Sequence, residues 1–431
     1  MYLIYFYSFT IFSLLIALFL TMWDLKRRSP FFLLWIVIIF LVLVPSFFDP
    51  YNRIVTPHDF ASTLVISDES LLDYSFYTFL ILFSFGVMYI IFNSFFKVKK
   101  IVYLIDIFKE TKNNNFIFYF LLLLTSIFGF YLFYQQFGFS VLSSLDFTTR
   151  REVSSPLAGF LLSYPFMICA GLGCYFFINK NYFNFVISLF LYLILYFVFG
   201  GSRQPLIAFI LPFAAYYCMR SKELNKKALT LIVLGSVFAN FILNALIYLR
   251  NLPSFNDRLD AFSKPAELIF NINNREGTEE NVRYAYYYFL QNADYQNGYF
   301  GFEYLLRSLF FWLPSSLDIF GIKPKDFEYK MFYDYMNGQE GTMHPTIFGS
   351  IYADSGWFFV PWVIFLSILL YFLPIYIQRF KGIVYFCLWS TCLFYSFMLA
   401  RGSIYGSIVI LAVALLFGFF VQKSKFRLGL K

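Results

Sequence analysis

The run LIYFYSFTIFSLLIALFLTM, residues 3–22, carries no charged side chain and is followed closely by Lys26, Arg27 and Arg28. Twenty residues rising about 1.5 Å each make a helix roughly 30 Å long, the thickness of a bilayer's hydrocarbon core. Inside that core no water is available to the backbone, so a lone apolar segment satisfies its amides and carbonyls only as a helix. The basic triplet then marks where the helix leaves the bilayer, on the side where Lys and Arg are retained. No basic start precedes the run and no small-residue cleavage site follows it, so it reads as a retained span and not as a signal peptide.

Comparable runs recur near 31–47, 74–95, 116–137, 156–178, 184–199, 204–219, 228–250, 356–377, 383–400 and 404–421. The expected fold class is therefore an all-α polytopic membrane protein with about 11 transmembrane helices. Residues 1–250 form a bundle of about eight spans, 251–355 a large loop outside the bilayer, and 356–431 the last three spans with a basic tail. Composition agrees: 60% of the 431 residues are hydrophobic and 13% are charged, against about 25% charged in a soluble domain. Water-soluble enzymes, disordered chains and nucleic-acid binders are excluded on that ground.

Charge sets the orientation. The segments 24–30, 97–115, 179–183, 220–227, 378–382 and 422–431 hold 19 of the 33 Lys and Arg in 54 residues, and the much longer alternate segments hold the other 14. Basic residues accumulate in cytoplasmic loops, so the N-terminus and the 251–355 loop are expected outside and the C-terminus inside. All 25 acids fall at span ends or in loops, which argues against an ion-driven carrier needing carboxylates at bilayer depth. The five cysteines sit within spans, where disulfides are not expected. Residues 99–109 read as an interfacial helix, and 281–291 and 303–313 as two helices of the large loop.

Ten arginines face outward in this frame, against four lysines: Arg53, Arg150, Arg151, Arg203, Arg250, Arg258, Arg275, Arg283, Arg307 and Arg401. A guanidinium binds phosphate bidentately and keeps its charge, so it suits a diphosphate held at a lipid interface. Most of these arginines are ordinary solvated or acid-paired loop charges. Arg203 and Arg401 stand apart because each sits in a tight turn of small residues, Gly200-Gly201-Ser202-Arg203 and Arg401-Gly402-Ser403, where neutral residues would be cheaper. His344, in Glu340-Gly341-Thr342-Met343-His344-Pro345-Thr346, is a candidate base for a hydroxyl nucleophile. Glu340 and Asp354 are rivals for that role. Asp68-Glu69 and Asp326-Phe327-Glu328 are weak carboxylate pairs, and no phosphate loop, serine elbow or zinc motif is present, so no metal and no cofactor is expected.

At Gly200–Arg203, and over His344-Pro345-Thr346-Ile347-Phe348-Gly349-Ser350-Ile351-Tyr352-Ala353-Asp354-Ser355-Gly356-Trp357, the chain resembles the bacterial O-antigen polymerases, the Wzy-type oligosaccharide repeat-unit polymerases. The layout of many spans with a large outer loop late in the chain is also similar. The resemblance implies a GT-C-like glycosyltransferase bundle in the bacterial inner membrane. It would transfer a growing glycan from undecaprenyl pyrophosphate to a lipid-linked repeat unit at the periplasmic face, with a chain-length regulator as partner. Arg203 and Arg401, helped by Arg250, Arg283, Arg307, Arg150 and Arg151, would then hold the pyrophosphate, and His344 would orient or deprotonate the acceptor hydroxyl. An O-antigen ligase is the alternative enzyme. A lipid-linked oligosaccharide flippase or other transporter is the alternative class.

Overall fold

The computed structural model describes residues 2–55, 64–96, 115–137, 156–198, 203–219, 230, 264, 278–292, 301–311, 344–380 and 382–427. They are almost entirely helical. In chain order the helices are α1 (Tyr2–Lys26), α2 (Phe32–Ser46), α3 (Asp68–Phe95), α4 (Asn115–Phe137), α5 (Pro156–Ile178), α6 (Tyr182–Val198) and α7 (Arg203–Met219). They continue as α8 (Thr278–Asn292), α9 (Glu303–Leu309), α10 (Thr346–Ser355), α11 (Val360–Ile377), α12 (Gly382–Arg401) and α13 (Ile404–Arg427). One short antiparallel pair, β1 (Ile54–Val55) with β2 (Leu64–Val65), precedes α3.

Among the described residues α1, α3, α11 and α12 are long and apolar enough to cross a bilayer, which makes this an all-α membrane protein. Ten of the eleven apolar runs read from the sequence fall on helices. The eleventh, 228–250, lies outside the described residues except for Thr230, as does the interfacial helix expected at 99–109. The two helices expected in the large loop are α8 and α9.

The chain forms two compact units. The first comprises Met1–Lys100, Ala239–Leu373 and Ser396–Val409, and the second comprises Ile101–Phe238, Pro374–Tyr395 and Ile410–Lys431. Each of α11, α12 and α13 thus contributes to both.

In the first unit α1, α3 and α11 run parallel. Phe9 lies 5.0 Å from Phe76 near their starts, and Tyr89 meets Asp24 and Tyr371 near their ends. Helix α2 returns antiparallel, with Trp35 beside Asp24 and Phe47 stacked on Tyr7. Its middle, Ile39–Leu43, is a π-helical turn. Pro45 supplies no N–H to the Leu41 carbonyl, and the wider turn accommodates that missing bond. The outward face of α1 carries Ile4, Phe12 and Leu15, each about half or more exposed, as befits a helix against lipid. At its far end Asp24 is fully buried and accepts from Trp35 Nε1 at 2.8 Å, while Arg27 lies 3.8 Å over the Tyr371 ring.

In the second unit α5 is central, packed by α4, α6 and α7. Gly171 lets α5 approach α12 as well, because a Cβ there would stand 2.7 Å from Cys387 Cα. All five cysteines are buried free thiols.

Candidate functional site

Helix α10 organises the site. The sequence places 346–355 at the end of the large loop, and in the structure all ten residues are helical and buried. Burial is possible because the two sides of α10 fit two different neighbours. On one side Gly349 meets α8, where a Cβ would be 2.9 Å from Tyr286 Cβ. On the other side Ser350 Oγ donates to the Gly402 carbonyl at 3.1 Å.

The Arg401-Gly402-Ser403 turn is fastened from two directions. Gly402 has φ +105°, and a Cβ on it would lie 2.6 Å from the Thr346 carbonyl oxygen. From α9, the Tyr304 hydroxyl oxygen accepts the amide hydrogens of Ile404 and Tyr405, both at 3.0 Å. Those amides open α13, ahead of the helix's own i−4 carbonyls, so the phenol caps it together with the Gly402 carbonyl, which accepts from Ile404 at 2.9 Å. One turn further along α9, the Arg307 guanidinium lies 4.4 Å over the Tyr405 ring, while Arg401 lies 5.8 Å from the Phe397 ring. Both arginines are only partly buried. Three elements distant in sequence therefore meet at one turn: α9 brings Arg307 onto Tyr405, Arg401 ends α12, and His344 lies two residues before Thr346, whose carbonyl faces Gly402.

Helix α9 is itself held by α10. Asp354 Oδ1 accepts the Tyr304 amide hydrogen at 2.7 Å, and Oδ2 accepts those of Leu305 at 3.0 Å and Trp362 Nε1 at 2.8 Å. Positive φ angles gather here: of the four non-glycine residues with φ above zero among those described, Phe302 (69°) and Thr346 (67°) lie at the starts of α9 and α10. Such conformations cost about 1–3 kcal/mol each and persist where the surroundings over-determine them. Asp354, weighed as a base from sequence, spends both oxygens on this scaffold.

Burial pushes the Asp354 carboxyl up to about 6, against the opposing pull of the Tyr304 amide, the Trp362 indole and the Leu305 amide. In the unfolded chain the same carboxyl titrates near 3.9. The folded protein holds the proton more tightly, so stability falls as pH rises from about 4 to about 6, by ~3 kcal/mol from this group. Thermal midpoints of the purified protein are expected to carry this slope, and Asp354→Asn is expected to flatten it while lowering the midpoint throughout. An unchanged slope in the variant rejects the assignment.

A second cluster lies between α2 and α8. Arg283 and Asp49 are 4% and 1% exposed and pair at 2.9 Å, and Asp49 also accepts from the Tyr287 hydroxyl at 2.8 Å. Desolvation is the strongest single influence on Arg283 and works against its charge, but the Asp49 carboxylate together with Tyr74, Tyr284 and Tyr287 outweighs it and holds the proton more firmly than usual. Burial likewise raises Tyr287, which stays a neutral donor. Tyr74 stacks on Tyr287 with centroids 4.4 Å apart. This pairing gives Arg283 a role in the fold. Arg53 forms a more exposed pair with Asp68 at 2.7 Å. Asp68 and Glu69 lie in the first turn of α3, and no grouping of His, Cys, Asp and Glu among the described residues fits a metal.

No family model, curated protein or solved structure matches the chain. The site is therefore read from its own geometry. Arg203 begins α7 in the second unit, and its side chain lies outside what is described. Arg150, Arg151, Arg250, Gly200–Ser202, Asp326–Glu328 and Glu340 also lie outside the described residues. Sequence reasoning missed Tyr304 altogether, since a phenol that caps a helix about a hundred positions away leaves no local signal. It saw the Gly402 turn, but not that α10 fills the space beside it.

Proposed function

We propose that this chain is a polysaccharide polymerase of the bacterial inner membrane. In this reading it has about 11 spans in a GT-C-like arrangement and transfers a growing glycan from undecaprenyl pyrophosphate to a lipid-linked repeat unit at the periplasmic face. The observation that supports it best is the docking of α9, which carries Arg307, and of α10, two residues after His344, on the turn that follows Arg401. Fixed cations beside a lipid interface stabilise a departing pyrophosphate without waiting for solvent to reorganise. Arg401 and Arg307 hold the donor, and His344 orients or deprotonates the acceptor hydroxyl; Arg203 is a further candidate for the donor on the strength of its sequence turn alone. Direct attack by that hydroxyl inverts the anomeric carbon. A chain-length regulator is the expected protein partner.

Deleting the gene and separating the surface glycans on a gel tests the class. A polymerase leaves a single repeat on the lipid core, a ligase leaves none, and a flippase deletion traps the repeat unit inside. Arg401→Ala is expected to lower polymerisation by an amount on the order of 2–4 kcal/mol in the transition state, with the protein still in the membrane. Arg203→Ala is expected to do the same, and His344→Ala to stop chain growth in a purified assay. Full-length polymer from Arg203→Ala or Arg401→Ala cells removes that arginine from the clamp.

A further inference from the structure

We infer that Tyr304 is a positioning residue for the arginine pair, a conclusion that rests on the reading of Arg307 and Arg401 as the donor clamp. Its hydroxyl is the link that sets the spacing between the two guanidinium groups. Arg401 ends α12, and the chain reverses through Gly402 and Ser403 before α13 begins. Arg307 belongs to α9, nearly a hundred positions earlier, and reaches this turn only by the docking of α9.

The described contacts of that docking are few and directed. The Tyr304 hydroxyl accepts both opening amides of α13, and its own hydrogen points towards the Gly402 carbonyl at 3.5 Å. Its ring is anchored separately, 5.5 Å from Trp362. Asp354 grips the amide of the same residue from the opposite side. Tyr304 is thus held through its backbone and its ring, and its hydroxyl is left to address the turn. Arg307 follows one helical turn later and stacks on Tyr405, whose amide Tyr304 has fixed.

Removing the oxygen alone leaves the ring and the Asp354 grip intact. Both amides opening α13 lose the phenol oxygen, Ile404 keeping the Gly402 carbonyl at 2.9 Å, and α9 is free to shift by a fraction of an ångström relative to Arg401. A displacement of about 1 Å in a positioning group costs up to roughly a hundredfold, so a loss of about tenfold is expected for Tyr304→Phe.

The test is a double-mutant cycle on the full-length protein in nanodiscs, reading the affinity for undecaprenyl pyrophosphate together with the thermal midpoint. Arg307→Ala and Arg401→Ala should each weaken binding. Tyr304→Phe should weaken it about tenfold in the parent and less than twofold in the Arg307→Ala background, with the midpoint nearly unchanged. An equal loss in both backgrounds means that the hydroxyl does not act through Arg307, and overturns the inference. So does undiminished binding by Tyr304→Phe where Arg307→Ala binds poorly, an outcome that leaves the clamp standing. If neither arginine variant weakens binding, the clamp itself falls and the inference with it. Should Tyr304→Phe fail to accumulate, Tyr405→Leu removes the ring beneath Arg307 and must show the same dependence on Arg307.

Discussion

Gly402→Ala is expected to cost roughly 3–5 kcal/mol of stability and to abolish polymer formation. Two effects combine. The backbone there has φ +105°, outside the range a residue with a Cβ adopts without strain. The added methyl would also stand 2.6 Å from Ser350 Oγ, 2.6 Å from the Thr346 carbonyl oxygen and 2.9 Å from the Thr346 carbonyl carbon. Ser350 can rotate its hydroxyl away, at the loss of one hydrogen bond. Thr346 cannot yield in that way, because the obstruction is backbone at the start of a fully buried helix. Adding Ser350→Ala should therefore restore little. Thermal unfolding in detergent measures the effect, and a Gly402→Ala protein melting within a degree or two of the parent would refute the tight seating of the turn on α10.

Arg283→Ala is expected to be nearly as damaging, at about 3–5 kcal/mol, because it strands the Asp49 carboxylate in a site 1% exposed. The Tyr287 hydroxyl remains as one donor, too little to replace a full positive charge. Desolvation makes the intact pair a modest net contributor, so removing both charges should hurt less than removing one. The double variant Asp49→Leu with Arg283→Met is expected to recover a large part of the loss. If it is as unstable as Arg283→Ala, the cost lies in lost packing against Tyr74 and Tyr287 and not in the unpaired charge.

The membrane helices were legible because twenty apolar residues in a row leave the backbone one solution in lipid, whatever surrounds them. Helices α8 and α9 were legible too, since their apolar and aromatic spacing acts locally, although α9 ends at Leu309, four residues before the expected end. Helix α10 was not: Thr346-Ile347-Phe348-Gly349-Ser350 carries small and polar residues that read as loop, and their meaning lies in what they touch. Gly349 is small for Tyr286, and Ser350 is polar for Gly402. The ion pair was hidden for a similar reason. Asp49 and Arg283 are 234 positions apart, and a sequence shows only that an acid and a base exist in separate segments. Of the candidate arginines, the turn around Arg401 announced itself by its glycine, whereas Arg307 acquires its neighbour through the docking of α9.

The interleaving of α11, α12 and α13 between the two units has a consequence for biosynthesis. The early helices are made first, yet the surface around Pro30, whose carbonyl accepts from the Ser396 hydroxyl at 3.5 Å, stays uncovered until the ribosome is almost finished. Insertion of the early helices therefore precedes assembly by nearly the whole elongation time, and a chaperone or insertase that shields that surface would have to release it late. Stalled chains ending before residue 396 should accumulate as protease-sensitive species in which α9 keeps its hold on Asp354 but its Tyr304 hydroxyl has no α13 amides to accept.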